Sequence, residues 1–404
     1  MYVDDGAVAA TSREELEKIR GERLPDGSYT GVIAQVMATA KMVPKLVVIP
    51  GSATAEEKLL LGGRVLGVGY DVDKDMINFK IKTTAEVVDP CNQRKRISMT
   101  WTERELDQLR QGTGRLTLRT VLSWTMSSYD PLGLISPLIL RAKVLIRRLQ
   151  GGGRPIPWDK DMAREEKALW ASLFTEILGS GTLSFPRVAA PPNGGEVHLV
   201  AFADGSLTAV CASVYTVCLL PGSAQGVYSS NLVMAKCRLS PLSGTTIPRA
   251  ELSSLLLAHR LSYLVATTAN FRPTSLSILG DSQCAIAITR KTGSMLKPYS
   301  ANRAGEIEDI SKELRKHVDL LHPLAAIPGD QNPADMGTRG KVLVEDMTSD
   351  MWQKGPHWLK EERKRWPLRA DQADLVPREE LRPSGASCLA ALGQGTGTRR
   401  PGSS

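Results

Sequence analysis

From Val197 to Ser206 the chain reads Val-His-Leu-Val-Ala-Phe-Ala-Asp-Gly-Ser, an almost unbroken apolar run that ends on a carboxylate. Such a run bounded by Gly predicts a buried central strand that delivers Asp204 to the end of a sheet. A second β-rich run from Ala209 to Leu219, a turn-rich break at Pro221-Gly222-Ser223 and a third run from Val227 to Leu239 follow at hairpin spacing. Together the three predict an antiparallel meander.

Three more acids stand where helix or strand ends would place them. Glu251 lies in Ile247-Pro248-Arg249-Ala250-Glu251, where Pro248 suits a first helical turn and Leu252, Leu255, Leu256 and Leu261 recur at helical spacing. Asp281 ends a short apolar strand, Ser275 to Leu279, and is followed by Ser282 and a helical segment. Asp335 stands in a turn-rich segment behind a last apolar run, Val318 to Ile327. Carboxylates gathered from separate elements raise each other's pKa unless cations neutralise them. Oxygen-only ligands suit Mg²⁺ or Mn²⁺, and two such ions roughly 3.5–4 Å apart activate water and stabilise a leaving oxygen in phosphodiester cleavage. Taken singly, Asp-Gly or Asn-Pro is a turn signal and a Glu near a helix start merely complements the helix dipole. The ordered set of four carries the reading.

That order resembles the ribonuclease H family, through Phe202-Ala203-Asp204-Gly205-Ser206, the helix bearing Glu251, Gly280-Asp281-Ser282-Gln283 and Asn332-Pro333-Ala334-Asp335. More narrowly, Ile247-Pro248-Arg249-Ala250-Glu251-Leu252 and Thr338-Arg339-Gly340 resemble the ribonuclease H region of BEL/Pao-type retrotransposon polyproteins. Tyr129-Asp130-Pro131-Leu132-Gly133-Leu134-Ile135-Ser136-Pro137 resembles the Pao region between polymerase and ribonuclease H in those polyproteins. The resemblance implies an α/β fold with a mixed five-stranded sheet and flanking helices. It also implies hydrolysis of the RNA strand of RNA/DNA hybrids, with Asp204, Glu251, Asp281 and Asp335 holding two Mg²⁺ or Mn²⁺ ions. In many ribonucleases H a His precedes the final Asp on a mobile loop; Ala326 holds that place here, which implies a slowed nuclease.

The first residues, Met1-Tyr2-Val3-Asp4-Asp5, resemble the palm turn of reverse transcriptases, where aspartates such as Asp4 and Asp5 beside Tyr2 help bind the metals of nucleotide addition. The earlier half of that palm has no counterpart in the chain, so polymerase activity is expected to be lost by truncation. Residues 1–115 then read as a partial palm and thumb-like α+β region, 116–196 as a Pao-type connection, 197–340 as the ribonuclease H-like domain, 341–381 as a C-terminal extension and 382–404 as a disordered tail. The Gly, Ser, Pro and Arg content supports the last assignment. Trp352, Trp358 and Trp366 are expected to dock the extension as buried aromatics.

A net charge of +8 and a pI near 9.1 favour a polyanionic partner, for which nucleic acid is the natural candidate. The helix after Pro137 carries Arg141, Lys143, Arg147 and Arg148, which suit a phosphate backbone or simply a solvated face. Asn302 and Arg303 suit backbone contacts by position alone. The six cysteines show no Cys-x-x-Cys pair, which argues for a reducing compartment without zinc or disulfides. No run approaches the ~20 apolar residues of a membrane span, so an intracellular protein, cytoplasmic or nuclear, is expected. Two other readings stay open: a non-catalytic nucleic-acid-binding remnant, and an aspartic peptidase, since the Pao-like region carries that label. The peptidase dyad uses Asp-Thr-Gly or Asp-Ser-Gly loops, and Asp204-Gly205-Ser206 has another order.

Overall fold

In the computed structural model the run at Val197 forms the middle strand of a mixed sheet. The structure describes residues 13–26, 28–39, 64–65, 68–71, 74–81, 84–89, 92–151, 155–179, 181–187, 195–219, 228–369 and 375–383. The chain divides into two units: Met1–Pro131, Gly152–Val188 and Leu343–Thr348 form one, and Leu132–Gly151, Ala189–Val342 and Ser349–Ser404 the other. The segment 116–196, read from sequence as one connection region, is thus shared between them.

In the first unit, helices α1 (Arg13–Arg20) and α2 (Val32–Thr39) precede an antiparallel sheet of order β1 (Arg64–Val65), β2 (Val68–Asp71), β3 (Met76–Lys80) and β6 (Thr182–Pro186). A separate hairpin joins β4 (Thr84–Asp89) to β5 (Asn92–Thr100). Three helices follow in this unit: α3 (Glu103–Gln111), α4 (Leu118–Ser127) and, after an excursion into the second unit, α6 (Arg164–Gly179). Phe174 of α6 stacks on Trp101, just before α3, at 4.6 Å and meets Trp124 of α4 edge-on at 4.8 Å. β2 and β3 form an antiparallel hairpin, with Val68 opposite Phe79 and Asp71 opposite Met76. Tyr2, Asp4 and Asp5 lie outside the described residues.

The second unit is built on β7 (Val197–Gly205). It pairs antiparallel with β8 (Ala209–Leu219), which pairs antiparallel with β9 (Tyr228–Leu239). On its other side β7 runs parallel to β10 (Ser275–Gly280), and β10 runs parallel to both β11 (Leu320–Leu321) and β12 (Ala325–Ala326). Six strands therefore fill five positions, because the apolar run Val318–Ile327 is broken at His322-Pro323-Leu324. Pro323 has no N–H to give a ladder.

Both faces of β7 are covered, which is why its pattern is continuous and not alternating. Leu199, Ala201 and Ala203 face a core with Leu252, Leu255 and Ala258 of α7 (Ile247–Thr268) and Ile307 and Leu314 of α9 (Pro298–His317). α8 (Gln283–Thr289) adds Ala285, Ile286 and Ile288 to it. On the opposite face Phe202 meets Tyr215 edge-on at 5.5 Å and Trp358 at 5.9 Å. Trp352, fully buried, donates its indole N–H to the Leu134 carbonyl at 2.8 Å. Helix α5 (Ser136–Gly151) packs on β9 within this same unit. Gly133 just before it has φ +75°, and a Cβ there would lie 1.7 Å from the Ala235 carbonyl oxygen, so only Gly admits this approach. Among the described residues no helix is long and apolar enough to cross a membrane.

Candidate metal centre

Asp204 is the penultimate residue of the central strand, and β10 lies beside it in parallel with Gly280 opposite Ala203. This register puts Asp281, the next residue after β10, level with Asp204 at the same sheet end. Ser282 then starts α8 by accepting the Ala285 N–H at 3.2 Å. Glu251 comes from the other layer, in the first turns of α7. The helix reaches the sheet end because residue 205 has no side chain: a Cβ on Gly205 would sit 2.4 Å from the Ala250 carbonyl carbon and 2.5 Å from the Glu251 nitrogen. Carboxylate oxygens of Asp204, Glu251 and Asp281 consequently lie within 4.8 Å of one another.

The loop behind the sheet secures this arrangement. Asn332, buried, donates from Nδ2 to the Ala203 carbonyl at 2.9 Å and accepts the Ala334 N–H at 3.1 Å. Thr338 donates its hydroxyl to Asp204 Oδ2 in a short hydrogen bond. Gly337 allows the loop to close, since a Cβ there would fall 2.2 Å from Cys211 Sγ. Asn332 and Thr338 are the residues that sequence reasoning quoted only as parts of motifs. Their roles depend on contacts more than a hundred residues away along the chain.

Burial and mutual repulsion hold protons on the cluster. Glu251 is pushed up to about 9, first by burial and then by the charges of Asp281 and Asp204. Asp204 rises to about 6, mainly through burial, although the Thr338 hydroxyl pulls the other way. Asp281 is also raised by burial, with Asp335 adding to the rise and the nearby Arg369 charge opposing it. Asp281 Oδ1 is buried and has no hydrogen-bond partner among the described residues. A buried oxygen left without a partner calls for a donor or a cation. Three converging carboxylates, all oxygen donors, fit a hard divalent ion.

The fourth predicted ligand stands differently. Asp335 binds Arg339 through both oxygens, at 2.7 Å to Nε and 2.5 Å to Nη2, and lies outside the three-carboxylate group. Its charge still reaches the cluster, raising Asp204, Asp281 and Glu251. Of the basic residues read as phosphate contacts, Arg141 donates to the Val342 carbonyl at 2.8 Å. Arg147 donates to the Ser240 and Thr208 carbonyls at 2.7 and 2.9 Å. Both guanidiniums tie α5 to the sheet unit, whereas Arg148 is exposed and Lys143 half-buried. Ala326 is buried and strand-paired with Gly280.

Residues 117–282 match the family model described as the Pao retrotransposon-like RNaseH-like domain. This stretch, less than half of the chain, is similar to that Pao-type family. The Pao-type match contains Asp204, Glu251 and Asp281, the three acids that converge, and ends before Asp335. No curated protein matches the chain. Among solved structures, the N-terminal RNase H domain from Mycobacterium tuberculosis is 13% identical, covers 38% of this chain and 95% of that chain, and has a TM-score of 0.23. LC11-RNase H1 in complex with an RNA/DNA hybrid is 17% identical, with 37% and 99% covered and a TM-score of 0.23. A foamy viral protease-reverse transcriptase in complex with double-stranded DNA is 10% identical, with 59% and 38% covered and a TM-score of 0.27.

Proposed function

We propose that the chain is a metal-dependent nuclease of retroelement type that hydrolyses the RNA strand of RNA/DNA hybrids. The observation that carries this reading is the convergence of Asp204, Glu251 and Asp281 from three elements, with Asp281 Oδ1 buried and without a hydrogen-bond partner among the described residues. These three would hold the divalent ions, two Mg²⁺ or Mn²⁺, and Asp335 would join them on releasing Arg339. When bound, such ions supply an activated water and stabilise the leaving oxygen. The chain's own part is to orient the acids. Thr338 fixes Asp204, the backbone N–H of Gly205 favours the ionised form of Glu251, and Asn332 locks the loop on the sheet. A three-acid cluster with oxygens this close suits cation binding better than the two-carboxylate dyad of an aspartic peptidase.

The test is cleavage of a labelled RNA/DNA hybrid with Mg²⁺ or Mn²⁺ by the full chain, beside Asp281→Asn. Metal-dependent loss of the RNA strand that vanishes in the variant supports the reading. The second reading, a nucleic-acid-binding remnant, draws on the bidentate Asp335–Arg339 pair and on Ala326 in place of a loop His. Hybrid binding without cleavage in either metal decides for it.

A further inference from the structure

The C-terminal extension runs to the sheet edge beside the strand that ends on Asp281. Its path is pinned on the sheet face opposite α7: Trp358 donates its indole N–H to Gln331 Oε1 at 2.7 Å, Trp366 packs on Trp358 at 5.2 Å, and Arg363 Nε donates to Ser277 Oγ at 3.0 Å. The backbone then turns to the sheet edge, where the Arg369 N–H bonds the Ala326 carbonyl at 2.8 Å. Ala326 is itself paired with Gly280, the residue before Asp281, and the neighbouring Ile327 N–H bonds the Gly280 carbonyl at 2.9 Å. Arg369 is thus the next backbone across from the strand that ends on Asp281.

Its main chain is fixed while its side chain is exposed and has no hydrogen-bond or ion-pair partner among the described residues. An anionic phosphodiester approaching three or four acids meets repulsion, and a guanidinium whose backbone is held at the sheet edge offsets it. Arg suits that place because it stays charged and its planar fork matches two oxygens of one phosphate. It cannot replace the proton-transferring His that position 326 lacks, since it does not give up its proton near neutral pH.

We propose that Arg369 is a phosphate-binding residue of this site, engaging non-bridging oxygens of the nucleic-acid strand that lies on Asp204, Glu251 and Asp281. This rests on the nuclease reading above. The experiment compares wild type, Arg369→Gln, Arg369→Lys and Asp281→Asn as full chains, each with a thermal melt to establish folding. Hybrid binding is followed by fluorescence anisotropy in EDTA across a salt series, and cleavage is followed separately in Mg²⁺. Loss of one charge-assisted contact should weaken hybrid binding roughly tenfold. It should also reduce the slope of log affinity against log salt by about one in Arg369→Gln. Arg369→Lys should restore the salt slope and part of the affinity.

A salt slope and affinity in Arg369→Gln equal to wild type, with wild type cleaving and Asp281→Asn inactive, overturns the phosphate role and leaves the nuclease reading standing. A folded wild type that neither binds nor cleaves hybrid overturns both.

Discussion

Replacing Glu251 by Gln should remove a proposed metal ligand and at the same time stabilise the metal-free protein. The three carboxylate oxygens lie within 4.8 Å of one another, so each ionised pair repels by at least about 3 kcal/mol at an effective dielectric near 20. Without metal the protein avoids this by keeping a proton on Glu251, which is pushed up to about 9 by burial and by Asp281 and Asp204. A carboxyl whose folded value is raised contributes its full stability below its unfolded value of 4.5 and loses that contribution as pH rises towards about 9. Metal-free wild type should therefore melt at falling temperature across that window, and Glu251→Gln, which cannot ionise, should lack that part of the decline. Near the upper end of the window the variant should be more stable by on the order of 3 kcal/mol, roughly 6–12 °C for a unit of this size. Divalent metal should reverse the order. Saturating Mg²⁺ at a hundredfold excess over its dissociation constant raises wild-type stability by about 2.7 kcal/mol, and the variant should gain far less. Scanning calorimetry of both proteins over the pH window, in EDTA and in MgCl₂, measures every part of this. Parallel pH slopes in EDTA would refute the coupling of the three acids, and equal Mg²⁺ shifts would refute Glu251 as a ligand.

Thr338→Val removes the hydroxyl that holds Asp204 and should lower Mn²⁺ affinity by roughly 10–100-fold in titration calorimetry, with little change in the melt of the metal-free protein. Glu380 is fully buried and accepts from Arg249 Nε at 2.8 Å and Ser300 Oγ at 2.6 Å, so Glu380→Ala should cost roughly 3–5 kcal/mol by denaturant unfolding. Trp352→Ala should cost about 3–5 kcal/mol in the same assay, because it empties a fully buried site and removes the indole hydrogen bond to the Leu134 carbonyl. Gly337→Ala should reduce hybrid cleavage before it reduces stability, since relief of the contact with Cys211 Sγ must move the loop that carries Asp335 and Thr338.

The strands and the three converging acids were legible because local pattern decides them. A doubly covered strand must be continuously apolar, as β7 is, and an acid closing such a run must fall at a sheet end. The run Val318–Ile327 is apolar apart from Asp319, His322 and Pro323, and the ladder break at Pro323 divides it into β11 and β12. Arg141 and Arg147 show a different limit: on a helix wheel they are a basic face, and only the fold brings the Val342, Ser240 and Thr208 carbonyls to them. Nothing local marks Arg369, whose neighbour Ala326 is 43 positions earlier in the sequence. The assignment of α5 to the sheet unit was hidden for the same reason, since it turns on the approach of Gly133 to Ala235.

The hydrogen bond from the Trp352 indole to Leu134 spans 218 positions and has a bearing on the order in which the unit can be assembled during synthesis. The meander and the acid-bearing elements all leave the ribosome while one face of β7 still lacks Trp352, Trp358 and Trp366. Until those three arrive, Phe202 and Tyr215 have no cover from the C-terminal side, and the position beside Ala326 has no Arg369. Closure is a long-range event of the kind that slows folding and leaves apolar surface open to aggregation meanwhile. A nascent chain stalled before Trp352 should therefore bind chaperones and remain protease-sensitive even though every proposed metal ligand has already been made.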